Sequence, residues 1–384
     1  MLASANVREL HAAAGRNALY VRQGRAAAQA EADRVRALLA RDAALARGYH
    51  TLLGGKWNHM MSETKFGYRI WQTPPIEAAP PVADVRPSPG ADPGLAIEGS
   101  EMGWPMWGAP TPVLPPLDFF GEPSRWIEVF NRGMRPFMYS VVSDRPWLRI
   151  TPSRGTVEVQ QRFEIMADWS HVPAGETRAM VRIETDAGRA FVVELPVVNR
   201  RAEVASRPGL FVEGDGHVSI EAPHFTRAVN GGGVRWEVLP DHGRGLGGVM
   251  PVPVTAAEVQ PGPGTPHLEY DLHLFTAGEV RMELHFAPSL DFQGGEGLRF
   301  AVSLDDEAPR ILKLGTGETL QTWEQSVAAS VRKVVSRHVV GAPGVHTLKF
   351  WMVTPGVVLQ KIVVDAGGVR PSYLGPPESR RIDD

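Results

Sequence analysis

Apolar residues recur along this chain at two different periods, separated by a stretch with no period at all. Over residues 3–53 the spacing is three and four, which is helical. Val7, Leu10, Ala14, Ala18 and Val21 share one face, and Val35, Leu38, Leu39, Leu45, Tyr49 and Leu52 share another. Gln23-Gly24-Arg25 supplies a turn between them, and Gly54-Gly55 ends the second helix. A helical hairpin is predicted. Two helices cannot bury both of their faces against each other alone, so the hairpin is expected to be part of a bundle. Asp42 falls on the second stripe, which calls either for a buried polar group or for a partner at that face. The opening Met-Leu-Ala-Ser offers no start signal ahead of the periodic region. The N-terminus therefore reads as a truncation or an internal restart.

Gly55-Lys56-Trp57-Asn58-His59-Met60-Met61, Gly67-Tyr68 and Ile70-Trp71-Gln72 follow, rich in aromatic and Met residues and polar at the centre. From Pro74 to Pro123 the chain is dense in proline, with Pro74-Pro75, Pro80-Pro81 and Pro115-Pro116, and reads as extended. It also carries Trp104, Trp107, Phe119 and Phe120, which a free linker does not need, so part of it is expected to wrap over a domain surface.

From Arg125 the period becomes two. Val157 and Val159, Phe163 and Ile165, Val181 and Ile183, and Phe191 and Val193 alternate between turn clusters such as Pro152-Ser153-Arg154-Gly155. Short strands at this spacing predict an immunoglobulin-like β-sandwich over 124–200. A further run, 205–375, contains the strongest alternation: Leu268, Tyr270, Leu272 and Leu274, then Thr276-Ala277-Gly278, then Val280, Met282, Leu284 and Phe286. That reads as a hairpin. With Leu298 to Leu304, Leu348 to Met352 and Val358 to Val364 it predicts a jelly-roll sandwich. The fold class is thus mostly β. Its parts are the end of a helical bundle (1–72), a Pro-rich segment with an aromatic loop (73–123), the two sandwiches, and a tail (376–384).

Composition narrows the function. A net charge of −3 argues against a phosphate-backbone partner, so no nucleic acid is expected. No run approaches the ~18 consecutive apolar residues of a membrane span. The absence of cysteine removes disulfides, thiolate nucleophiles and zinc–thiolate sites but leaves the compartment undetermined. The first 30 residues lack the continuous apolar core of a signal peptide, being interrupted by Arg8, Arg16, Arg22 and Arg25.

Candidate chemistry is sparse. Gly243-Arg244-Gly245-Leu246-Gly247-Gly248 has the G-x-G-x-x-G spacing, yet Met250-Pro251-Val252-Pro253 follows where a dinucleotide site needs a helix. It reads as a glycine-rich loop at a sandwich edge. The histidines form no metal motif; His273 and His285 could meet on the hairpin but are placed on its polar side. No G-x-S-x-G or S-x-x-K motif anchors a nucleophilic hydrolase. Glu221, Asp241, Asp291, Asp305 and Asp306 read as turn and loop acids. Glu221 and Asp365 open and close the last domain, and pairing of its end strands would let them share a structural calcium ion; no other cofactor is expected. Trp104 and Trp107 lie in an irregular loop, where contact with a ligand or partner competes with plain packing. Trp147, Trp169 and Trp351 lie in strand-like runs and are assigned to cores; Trp236 and Trp323 stay open between the two roles.

Several strings together resemble the C-terminal half of glycoside hydrolase family 115, the xylan α-glucuronidases. They are Gly55 to Met61, Ile127-Glu128-Val129-Phe130-Asn131-Arg132-Gly133, Ser219-Ile220-Glu221-Ala222-Pro223-His224-Phe225, Thr354 to Val363, and Pro371-Ser372-Tyr373-Leu374-Gly375-Pro376-Pro377-Glu378-Ser379. The resemblance implies an α/β domain and a catalytic (β/α)8 barrel ahead of the helical bundle and sandwiches. Both are absent from this sequence, so no catalytic residue carries over and the chain is predicted inactive alone. It further implies that Trp57, Asn58 and His59 pack toward the barrel, that the first sandwich supports a homodimer, and that Trp104 approaches the partner's active site. Trp107 and Trp236 are the other contact candidates. The terminal domain would resemble a carbohydrate-binding module, with glucuronoxylan as a possible ligand. A freestanding carbohydrate-binding or adhesion module is the alternative. Family members are usually secreted or periplasmic.

Overall fold

The structure is a computed structural model describing residues 1–68, 72–74, 76–204, 206–292 and 294–382. Ile70 and Trp71 lie outside the described residues. The fold is mostly β, with helix concentrated at the N-terminus. The chain divides into two compact units, Met1–Leu117 with Ser124–Val198, and Asp118–Pro123 with Asn199–Asp384. No helix among the described residues is long and apolar enough to cross a membrane.

In the first unit, α1 (Leu2–Gln23) and α2 (Ala27–His50) form the expected hairpin. Gly24 closes α1 with φ of 70°, the left-handed conformation that glycine adopts without a Cβ penalty. A short segment, α3 (Leu52–Gly55), comes next and is kinked at Leu53 and Gly54. Leu10, Ala14, Val35 and Leu38 are buried as expected, but Ala18 is exposed. The contact face instead runs through Asn6 and Asn17, whose amides donate to the carbonyls of Leu38 (3.0 Å) and Ala28 (2.8 Å). Asn17 also exchanges hydrogen bonds with Ala83 of the Pro-rich segment, at 2.9 Å in each direction. That segment therefore does wrap, with Val82 and Phe66 completing the small core of the hairpin. Of the two alternatives for Asp42, the structure shows the buried polar group, paired with Lys65 at 2.7 Å.

The same unit holds nine strands in two sheets. The first contains β1 (Pro93–Ile97), β3 (Arg125–Asn131), β5 (Leu148–Thr151) and β7 (Gln160–Ala167), in the order β1-β3-β7-β5. The second contains β2 (Leu117–Asp118), β4 (Phe137–Ser143), β6 (Arg154–Val157), β8 (Gly175–Thr185) and β9 (Ala190–Asn199), in the order β2-β9-β8-β4-β6. Their inward side chains make one core, among them Ile127, Phe163, Ile165, Val181, Ile183, Phe191 and Val193. Val159 is an exception, lying exposed between β6 and β7.

The second unit carries twelve strands, again in two sheets around one core. One sheet is β10 (Phe211–Val212), β15 (His267–Leu274), β20 (Gly344–Met352), β17 (Arg299–Leu304) and β18 (Arg310–Lys313), with β12 (Arg227–Val229) also on β15. The other is β13 (Arg235–Pro240), β14 (Gly247–Val252), β21 (Leu359–Asp365), β16 (Gly278–Phe286) and β19 (Arg332–Val340), with β11 (His217–Glu221) also on β21. A short helix, α4 (Leu320–Ala328), precedes β19 and is capped at Thr319.

One prediction is corrected here. β15 and β16 are not a hairpin: β15 pairs with β20 and β16 with β19 and β21, so Thr276-Ala277-Gly278 crosses between the sheets. Alternation cannot distinguish the two cases, because facing sheets bury alternate residues just as paired strands do. His273 and His285 accordingly lie in different sheets, opposite Val345 and Lys333 respectively.

Candidate functional site: a cationic cavity in the C-terminal unit

Three separate stretches meet at one end of the β11–β21 pair. On β11, Glu221 lies opposite Lys361 of β21, and their side chains form an ion pair at 2.9 Å. Strap residues 371–379 run alongside β11. Ser219 N–H donates to Ser379 Oγ (2.9 Å), Ser379 N–H donates to Ser219 O (2.8 Å), and Glu221 N–H donates to Glu378 Oε1 (2.9 Å). His224 Nδ1 lies 2.9 Å from both Glu378 oxygens. Lys361 Nζ also donates to Pro376 O at 2.9 Å, so one buried ammonium ties strand, strap and Glu221 together.

The third stretch is the glycine-rich loop between β13 and β14. Leu246 N–H donates to Glu221 Oε2 (3.1 Å), and Arg244 N–H donates to Gln360 Oε1 (3.3 Å). The glycines are there for closeness. A Cβ on Gly245 would stand 2.2 Å from Glu221 Oε2, and one on Gly243 would stand 2.4 Å from the Gln360 side chain. The following residues form β14 and not a helix, as the prolines required.

Between these stretches is a cavity of about 340 Å³, lined by Glu221, Arg244, His285, Gln360, Lys361 and strap residues 374–377. Its volume is at the small end of ligand sites, which span ~300–1,000 Å³. The Arg244 guanidinium stacks on Tyr373 at 3.8 Å from the ring centroid. Its Nε and Nη2 are shielded from water and have no acceptor among the described residues. Glu221 is the one carboxylate of the lining, and it is taken by Lys361 and Leu246.

A family model, the Glycosyl hydrolase family 115 C-terminal domain, matches residues 210–378, the span that contains all three stretches. Residues 210–378 are thus similar to the family 115 C-terminal domain. Among solved structures, the chain is similar to a family GH115 4-O-methyl-α-glucuronidase with specificity for decorated arabinogalactans, at 18% identity and a TM-score of 0.29. That match covers 38% of this chain and 17% of the glucuronidase, well under two thirds of its length. It is also similar to the C-terminal family 6 carbohydrate-binding module of a laminarinase from Zobellia galactanivorans (14% identity, 39% of this chain, 98% of the module, TM-score 0.27). A family 35 carbohydrate-binding module from Clostridium thermocellum compares similarly (16%, 38%, 97%, 0.27). No curated protein sequence matches the chain.

Within the matched span, His285 is buried, and burial holds its pKa below the usual histidine value despite the Glu283 carboxylate 2.8 Å from Nε2. It is therefore neutral near pH 7. Glu283 is held far below the normal carboxylate range by the His285 hydrogen bond and by Lys333 and Arg281. The cationic character of the cavity thus comes from Arg244.

The expected calcium pair does not assemble. β11 and β21 do pair, but antiparallel register sets Glu221 against Lys361 and Asp365 against His217. The two carboxylates are four residues apart along the strands, about 13 Å at ~3.3 Å per residue. Asp365 instead caps a turn, accepting from the N–H groups of Gly367 (2.8 Å) and Val369 (3.2 Å). No group of three or more His, Asp or Glu among the described residues is arranged to hold a metal ion.

The tryptophans divide sharply. Trp104 is buried in the core of the first unit, 7% exposed, and its indole N–H donates to Pro110 O at 2.7 Å. Trp107, three residues on, is fully exposed. The loop turns on this contrast, because the Leu95–Trp104 bridge pins the first ring inward. Trp236 is half-buried against Phe350, with its indole N–H on Val229 O at 3.1 Å. Trp57 packs on Tyr49 at 6.3 Å, with Asn58 and His59 exposed beside it and Asn58 Oδ1 accepting from His59 N–H (3.1 Å).

One nucleophile-like arrangement exists that no motif announced. Ser336 Oγ lies 2.9 Å from His338 Nε2, and His338 Nδ1 lies 2.6 Å from Glu307. Ser336 and His338 are 6% and 1% exposed, opposite the core residues Met282 and Val280. A substrate cannot reach them, and the trio satisfies polar groups at a sheet edge.

Proposed function

We propose that this chain is a non-catalytic, carbohydrate-associated portion of a family 115 glycoside hydrolase. In this reading the first sandwich is immunoglobulin-like and the C-terminal one is a jelly roll that touches glycan through the Arg244 cavity. The observation that carries the reading is the family match over residues 210–378, which holds a cavity with one carboxylate already engaged by a lysine. Glycoside hydrolysis needs two carboxyl groups flanking the bond. Removal of glucuronic acid from xylan would then belong to a barrel domain, toward which Trp57, Asn58 and His59 present their exposed edge. The test is direct. Purified chain incubated with glucuronoxylan should release no glucuronic or 4-O-methylglucuronic acid while binding the polymer in calorimetry. Sustained release by the chain alone overturns the non-catalytic reading.

A second reading concerns a partner surface on the first unit, as in a homodimer. It is favoured by the loop that leaves Trp107 fully exposed and Met106 half-exposed. Trp107, and not Trp104, offers the side chain for that contact. Sedimentation of Trp107→Ala against the parent chain tests it; an unchanged distribution removes Trp107 from any such interface.

A further inference from the structure

Arg244 raises a question that the fold alone does not answer. A shielded cation without a counter-charge costs free energy, and proteins pair or hydrogen-bond such groups. Here the one carboxylate of the lining, Glu221, is engaged twice over, by Lys361 and by the Leu246 N–H. Gln360 Oε1 is occupied by the Arg244 backbone N–H, and the Gln360 amide donates to Ser330 O at 3.1 Å. The acceptor oxygens of the lining side chains Glu221 and Gln360 are therefore engaged, while two guanidinium nitrogens of Arg244 have no acceptor among the described residues. Tyr373 holds the guanidinium by its ring face, a contact that fixes the plane but supplies no acceptor. Leu374, Pro376 and Pro377 add apolar groups to the same lining, which also holds the neutral imidazole of His285.

We infer that the cavity takes an anionic sugar residue, its carboxylate on the Arg244 guanidinium and the C–H face of its ring against Leu374, Pro376 and Pro377. The chemistry is complementary on both sides. A carboxylate presents two acceptors to a fork of donors, and a pyranose presents one face of C–H groups to an apolar wall. Glu221 does not oppose the anion, because its charge is matched by Lys361. This inference rests on the carbohydrate-associated reading above and specifies its ligand.

Calorimetry on the whole chain tests it, with the methyl glycosides of glucuronic acid and of glucose as probes and inorganic sulfate as competitor. The glucuronide should bind at least about tenfold more tightly than the glucoside, and sulfate should displace it. Arg244→Ala should abolish the preference with the melting temperature unchanged, and Arg244→Lys should retain part of it, since an ammonium keeps charge but not the fork. Should Arg244→Ala fail to fold, the glucuronide-over-glucoside ratio and sulfate displacement on the parent chain decide alone. Equal binding of both glycosides, unaffected by Arg244→Ala, overturns the anion site while leaving a carbohydrate role in place. Sulfate binding without glucuronide binding overturns the sugar assignment. No binding of either glycoside or of glucuronoxylan overturns this inference and the glycan contact together, whereas glucuronoxylan turnover bears only on the non-catalytic reading.

Discussion

Arg25 and Arg244 are both lodged against aromatic rings, one in each unit, and they differ in what surrounds the charge. Arg25 is 2% exposed between Tyr20 (4.5 Å) and Phe130 (4.2 Å). Its Nε donates to Gln23 Oε1 at 2.6 Å, and its Nη1 donates to Glu128 and to Gln160 Oε1. Helix end and sandwich strand are joined through one fully matched cation. Arg244 has the ring, but its Nε and Nη2 find no acceptor among the described residues. A buried charge matched within the chain is part of the fold; one left unmatched beside a cavity leaves room for an external acceptor.

The contrast can be broken by truncation. Arg25→Ala leaves the buried Glu128 carboxylate with only the longer Arg162 contact at 3.5 Å and should cost about 3–5 kcal/mol, read as a lower denaturant midpoint for the first unit. A loss below about 1 kcal/mol would put Arg25 in the same class as Arg244. The tryptophan loop repeats the comparison with apolar groups. Trp104→Ala opens a core cavity and should cost about 3 kcal/mol or more, whereas Trp107→Ala should stay within ~0.5 kcal/mol. Similar losses at the two positions would mean that exposure does not separate their roles.

Asp118 sharpens the same point with the opposite charge. Burial pushes its pKa up to about 6, with the Asp215 carboxylate adding to the rise, although it accepts N–H groups from Phe120 (3.0 Å) and Asp215 (3.2 Å). Because the folded state binds this proton more tightly than the unfolded chain, the site's contribution is full below about pH 4. It is lost as pH rises through about 6, at most about 3 kcal/mol in all. Urea midpoints measured across that window should fall for the parent chain and flatten for Asp118→Asn; parallel slopes would refute the assignment. Small as well should be Arg244→Ala, which removes unpaired donors and should alter stability by less than about 1 kcal/mol. A clear loss in thermal melting would show that Tyr373 stacking holds the strap, and would make Arg244 structural.

Much of the fold was legible because burial imposes a period. The hairpin and the alternating pairs Phe163–Ile165 and Val181–Ile183 followed from spacing, whereas spacing left Asp42 open between burial and a partner face. The site was legible only in pieces. Gln360, Lys361 and Tyr373 lie inside strings that already suggested family 115, and Arg244 lies in the glycine run set aside as a false nucleotide motif. Nothing in the spacing between residues 221, 244, 361 and 373 says that they meet.

What the sequence determined by itself is the kind of element at each place, since side-chain periodicity is a local consequence of backbone geometry. It also determined that no helix follows the 243–248 run, through Pro251 and Pro253, although Gly247 and Gly248 already belong to β14. Which strands pair, and in what register, was decided only in three dimensions. The β15–β16 connection crosses between sheets, and antiparallel register set Glu221 against Lys361 rather than Asp365. The reason is that pairing and register depend on groups far apart in the chain, whose burial is settled jointly. Register removed the calcium pair, and in the same step left Arg244 without a counter-charge beside an open cavity.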